Sequence, residues 1–116
     1  MYQITQLGSE PKQAFSMYLD DGSQVDFVFV YKPNQLGWFF DFTYNQQTYR
    51  NIRLTTCYNL LRAYQSWLPL GLRCDTLDGF EPLDIDDFDN GYATVYLLTR
   101  QDVDAIEGKY YAKVDA

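Results

Sequence analysis

The sequence predicts a mainly β fold, a small antiparallel β-barrel or meander carrying one amphipathic α-helix. Three observations predict it. Apolar residues alternate at period two through successive segments of the first half, which is how half-buried strands read. Short turns join those segments, and parallel pairs would need long crossovers, so the topology is antiparallel. Aromatic residues make up 18% of the 116 residues, and aromatics favour strands and interfaces. The chain is short enough for a single core.

The elements follow in order. Gln3 to Leu7 alternates weakly as a short strand, and Gly8-Ser9-Glu10-Pro11 breaks it. Phe15, Met17 and Leu19 share one face of a second strand. Asp20-Asp21-Gly22-Ser23 then reads as a hairpin turn, because Asp and Gly tolerate positive φ. Val25, Phe27, Phe29 and Tyr31 continue on one face, while Val28 and Val30 make the other face apolar, so this strand is expected to be covered on both sides along its second half. After the Lys32 to Gly37 loop come the aromatic strand Trp38 to Tyr44, a turn at Asn45-Gln46-Gln47, and a strand from Thr48 to Leu54.

The period then changes. Leu60, Leu61, Tyr64, Trp67 and Leu68 fall at helical spacing, which predicts an amphipathic helix of about three turns. Thr55 or Thr56 would cap it and Pro69 with Gly71 would close it. Leu70 to Thr76 is a weak strand, 77–90 an acidic loop, and Gly91 to Thr99 the clearest late strand. Thr99-Arg100-Gln101-Asp102 resembles a capping box for a short turn of helix over Val103 and Ile106, ended by Gly108. Tyr110, Ala112 and Val114 alternate in a last extended piece. The expected core is Phe27, Phe29, Trp38, Phe40, Leu61 and Tyr64, since strands and helix must bury their apolar faces on each other.

Composition narrows the chemistry. Sixteen acids against nine bases give a net charge of −7, which argues against a nucleic-acid groove or an anionic membrane surface. No histidine occurs, so no Ser-His or Cys-His dyad and no His-containing zinc site can be built. Cys57 and Cys74 match no metal or redox spacing and read as buried reduced thiols. The N-terminus lacks the basic and apolar regions of a signal peptide, and no apolar run reaches membrane-spanning length.

From Asp75 to Thr99 there are seven acids, Asp75, Asp78, Glu81, Asp84, Asp86, Asp87 and Asp89, and no Lys or Arg, which makes the sharpest charge feature. Aligned on Gly91, a calcium loop would place Phe88 and Leu97 where acids are required, so an EF-hand is rejected. Asp84, Asp86, Asp87 and Asp89 are expected to be exposed and metal-free. A glycosidase carboxylate pair has only abundance in its favour. Trp38-Phe39-Phe40 reads as core before it reads as a stacking platform.

The collinear set of features resembles the baseplate plug proteins of contractile-tailed phages, cyanophages included. It comprises Pro11-Lys12-Gln13-Ala14-Phe15, the run from Tyr31 through Asn34 to Gly37-Trp38, Phe39-Phe40-Asp41-Phe42, Leu60-Leu61-Arg62-Ala63-Tyr64, and Asp89-Asn90-Gly91 before Tyr96-Leu97-Leu98. It covers residues 1–100, leaving 101–116 as a C-terminal extension or arm. The resemblance implies a virion structural protein at the centre of the baseplate, assembled in the host cytoplasm. Its partners would be other baseplate, tail tube, hub or spike proteins, and copies of itself in a symmetric ring or cluster. No enzyme activity, cofactor, metal, membrane or specific nucleic acid is expected. The arm's alternation marks Tyr110, Tyr111 and Val114 as candidate interface residues. The alternative is a small carbohydrate- or ligand-binding β module using Trp38 or Trp67; an enzyme ranks third.

Overall fold

The computed structural model describes residues 1–111 and contains two antiparallel sheets and one α-helix. Four strands form the expected meander: β2 (Lys12–Tyr18), β3 (Gln24–Lys32), β4 (Gly37–Tyr44) and β5 (Gln47–Arg53), in the order β2-β3-β4-β5. The second sheet runs β1-β7-β6, from β1 (Tyr2–Gln3), β6 (Leu70–Thr76) and β7 (Ala93–Thr99). The described residues form no closed barrel. Instead the two sheets share one core.

The turns behave as their residues dictate. Gly22 sits at φ 86°, its N–H donates to the Leu19 carbonyl, and Ser23 N–H reaches the Asp21 side chain. A side chain there would be strained, so the Asp-Gly signal has a direct backbone cause. The β4–β5 turn needs no glycine: Asn45 and Gln46 both take positive φ, 51° and 66°, which matches the twist of the flanking strands.

The inner face of the four-stranded sheet supplies Val25, Phe27, Phe29, Trp38, Phe40 and Phe42 to the core; the facing sheet supplies Leu70, Leu72, Cys74, Val95 and Leu97. Phe29 stacks on Phe40 at 5.3 Å and on Phe15 at 5.7 Å, arrangements that add to simple area burial. The predicted core residues Phe27, Phe29, Trp38, Phe40 and Leu61 are buried. Tyr64 is half-buried, because it lies beside Tyr49 at the sheet margin. On the outer face, Phe39 is shielded by its own neighbours: the Lys32 ammonium lies 4.5 Å and the Arg53 guanidinium 5.2 Å from its ring.

The helix lies elsewhere than the spacing predicts. Residues 57–68 form turns and a short 3-10 segment, Arg62–Tyr64, not an α-helix. Pairing with β6 takes the start of this segment: Cys57 exchanges both backbone bonds with Cys74, and Leu60 N–H donates to the Leu72 carbonyl. The Asn59 side chain competes for the remaining donors, accepting from Leu61 N–H at 3.0 Å and Leu72 N–H at 3.3 Å. Leu61 and Leu68 still reach the core, so burial is satisfied without a helical backbone. Gly71, expected as a stop, is an interior residue of β6. A Cβ there would stand 2.6 Å from Asn59 Oδ1, so glycine is what allows this close approach.

The α-helix is α1 (Arg100–Tyr110). Its capping box is present as read from the sequence: Thr99 Oγ1 accepts from Asp102 N–H, and the Asp102 carboxylate accepts from Thr99 N–H. The amino group of Met1 lies 2.6 Å from the same carboxylate. The helix runs through Gly108 instead of ending there, since one glycine costs a helix only about 1 kcal/mol. Val103 and Ile106 pack with Leu98 on the side of the β1-β7-β6 sheet away from the main core.

Candidate functional site

The candidate interface residues sit at the end of α1. Tyr110 is its last helical residue, so the extended reading of the arm fails at this point; Val114 lies outside the described residues. Tyr110 stacks on Tyr58 with ring centroids 3.8 Å apart, and Arg62 covers the half-buried Tyr111 ring at 3.9 Å. Arg62 Nε and Gln65 Nε2 both donate to Glu107, at 2.8 and 2.9 Å. The Arg62 hydrogen bond, then that from Gln65, holds the Glu107 carboxyl below its ordinary range. Tyr58, Arg62 and Gln65 are therefore the seat of the end of α1. Helical spacing over 58–68 hid it, because those residues meet α1 through tertiary contact only.

The two tryptophans separate. Trp38 is fully buried against Tyr31 and Phe88, which removes it as a stacking platform. Trp67 is 58% exposed, with its indole N–H donating to Tyr49 Oη at 3.0 Å.

The acidic loop carries one correction and one addition. Asp84, Asp86 and Asp89 are exposed as expected, but Asp87 is only 5% exposed. It folds the loop on itself: its Oδ2 accepts from Asp84 N–H, and its carbonyl accepts from Ala93 N–H. Burial, with Asp84 and Asp86 nearby, raises its carboxyl above the usual range against the opposing pull of the Asp84 N–H. The addition is apolar. Leu77 and Phe80 are 80% and 72% exposed on a loop tied down by Thr76 Oγ1 to the Phe80 carbonyl and by Leu77 N–H to Tyr92. No periodicity marks them in the sequence, because a loop has none.

An open cleft of about 610 Å³ lies between Thr56, Cys57, Tyr58, Arg73, Asp75 and Tyr111. Arg73 Nε is already paired with Asp75, at 3.0 and 3.2 Å to the two carboxylate oxygens. Burial pushes the Cys74 thiol up to about 12. Among the described residues no cluster of carboxylates and thiols is arranged to hold a metal ion.

The surface thus offers aromatic, apolar and backbone contacts, the materials of protein association. A family model described as cyanophage baseplate Pam3 plug gp18 matches residues 1–100. The chain belongs to this family of phage baseplate plugs. No curated protein matches it. Plug-family membership implies a place in the virion tail among other baseplate proteins, and no described helix is long and apolar enough to cross a membrane. The match stops where α1 begins, so the helix that seals the outer face of the β1-β7-β6 sheet lies outside it.

Proposed function

We propose that the chain is a non-enzymatic structural subunit at the central plug or hub of a phage tail baseplate, touching tail tube, hub or spike proteins and further copies of itself. The family match over residues 1–100 carries this reading. The physical design supports it. A four-stranded sheet tied together by stacked aromatics and packed on a second sheet makes a stiff block, and the net charge of −7 suits a lumen through which DNA slides without sticking. Residues 1–100 form the plug-like unit and 101–116 an added C-terminal element, whose Tyr110 and Tyr111 border a neighbouring subunit. Subunits are made in the host cytoplasm and function without cofactor.

Phage carrying a deletion of this gene should yield tails with incomplete baseplates, restored by the chain supplied in trans. Complete, infective tails without the chain would end the reading. The ligand-binding alternative now rests on Trp67 alone, and a titration of its fluorescence with oligosaccharides decides it: a saturable change would favour a binding module.

A further inference from the structure

The two sheets have four edge strands, and three of them are closed to pairing. β1 has only two residues. The outer side of β6 is taken by Cys57 and Leu60. β5 is broken by a register shift, with Asn51 at φ 59° and its N–H turned onto Asp41 Oδ1 at 2.6 Å. Short strands, bulges and covering loops are the devices by which proteins blunt sheet edges.

Among the described residues β2 has none of these three. Its seven residues pair with β3 in unbroken register from Lys12–Val30 to Tyr18–Gln24. The phase of the ladder follows from its ends. Tyr31 N–H donates to the Pro11 carbonyl, and Leu19 N–H donates to the Ser23 carbonyl. Bonded and non-bonded pairs alternate in an antiparallel ladder, so Gln13, Phe15 and Met17 bond to β3. Lys12, Ala14, Ser16 and Tyr18 turn their N–H and C=O groups outward. All four side chains are exposed, Tyr18 at 62%.

We propose that this edge pairs with the same edge of a second copy, antiparallel about a twofold axis at Phe15, joining two four-stranded sheets into one. The strand is its own complement in that register. Lys12 faces Tyr18 of the second copy, which sets an ammonium beside a ring, and Ala14 faces Ser16. Phe15 meets Phe15 at a close, non-hydrogen-bonded position, where aromatic pairs are favourable. All four outward residues of each copy then exchange both backbone bonds. A slip of two residues leaves either Lys12 or Tyr18 unpaired. In this register the one charged residue of β2, Lys12, stands opposite Tyr18 and so meets no like charge directly across the pair. An isologous contact of this kind closes as a dimer.

The proposal gives the self-association in the proposed function a specific surface, yet it is tested on the purified full chain without other tail proteins, so its failure leaves the baseplate reading standing. Sedimentation from about 10 µM to about 1 mM should show a monomer–dimer equilibrium, weakened at least about tenfold by Ala14→Pro. Proline at Ala14 removes an outward N–H and no β3 bond, and edge strands tolerate it. Hydrogen exchange on the wild-type chain supplies a readout independent of that variant. The amides of Lys12, Ala14, Ser16 and Tyr18 should slow about tenfold or more on concentration, while those of Gln13, Phe15 and Met17 are protected throughout. A chain that stays monomeric overturns the proposal, as does a dimer in which the four outward amides do not slow or Ala14→Pro associates normally. Monomers that instead gain protection at those amides with a tail-protein peptide would also overturn it, assigning the edge to another protein.

Discussion

Cys57 and Cys74 lie directly opposite each other and exchange both backbone bonds, at 3.0 and 3.1 Å, yet their thiols occupy different worlds. Cys74 is fully buried in the core between the sheets, and Cys57 is partly exposed on the wall of the cleft beside Tyr58. The pair is thus not the two buried thiols that the composition suggests. The thiolate is the reactive form, and burial keeps Cys74 protonated at neutral pH. Iodoacetamide on the native chain should modify Cys57 and leave Cys74 intact, with both modified in denaturant. Equal labelling of both in the native chain would show that the sheets open readily.

The Asn59 side chain and Gly71 form a single packed unit, so their substitutions should not add. Asn59→Ala leaves the Leu61 and Leu72 amides unpaired in a buried place and should cost about 1–3 kcal/mol. Gly71→Ala drives a methyl group into Asn59 and Val103. Because Asn59→Ala removes the first of these clashes, Gly71→Ala should cost less in that background than alone. Additive losses in chemical denaturation would mean the two residues are not in contact.

Asp87 gives a pH dependence opposite in sign to that of a salt-bridged carboxylate. Its folded-state pKa is raised, so between the unfolded value and the folded one the native chain binds more protons than the unfolded chain. Its contribution to stability is therefore present at low pH and is lost as pH rises through the folded pKa. Asp87→Asn keeps an oxygen for the Asp84 N–H and sheds the charge. Thermal melts should find the variant at least as stable as the wild type at pH 7, the difference vanishing below about pH 4. A variant less stable at pH 7 would mean that the buried charge is matched by a cation.

Helix α1 belongs to the subunit's own packing. Burying Val103 and Ile106 is worth about 1.5–3 kcal/mol each. A chain cut before Arg100 should accordingly lose about 3–6 kcal/mol and expose Leu98, detected as a lower unfolding midpoint and increased dye binding. An unchanged midpoint would show that residues 1–100 are complete without the helix.

Much of the β architecture was legible in the chain itself. Alternation over Val25, Phe27, Phe29 and over Trp38, Phe40, Phe42 dictates which side of each strand is buried, because the period of a strand leaves no other choice. The Asp-Gly turn and the Thr99–Asp102 cap are equally local, each made by residues within three positions of one another. What lay beyond the sequence depends on partners distant along the chain. The helical spacing of Leu60, Leu61, Tyr64 and Leu68 yields to the edge of β6, because Asn59 and Leu60 satisfy their backbone neighbours across the sheet instead of within a helix. Tyr110 continues α1 because Tyr58, more than fifty positions earlier, offers its ring. Asp87 is buried and its acidic neighbours are not, although all share one composition. That β2 is an edge strand, uncovered among the described residues, follows only from the order of strands in the assembled sheet. Local pattern determines which face of an element is apolar; only the assembled sheets decide which neighbour covers it, since that contact is made between residues whose separation in sequence carries no signal of their meeting.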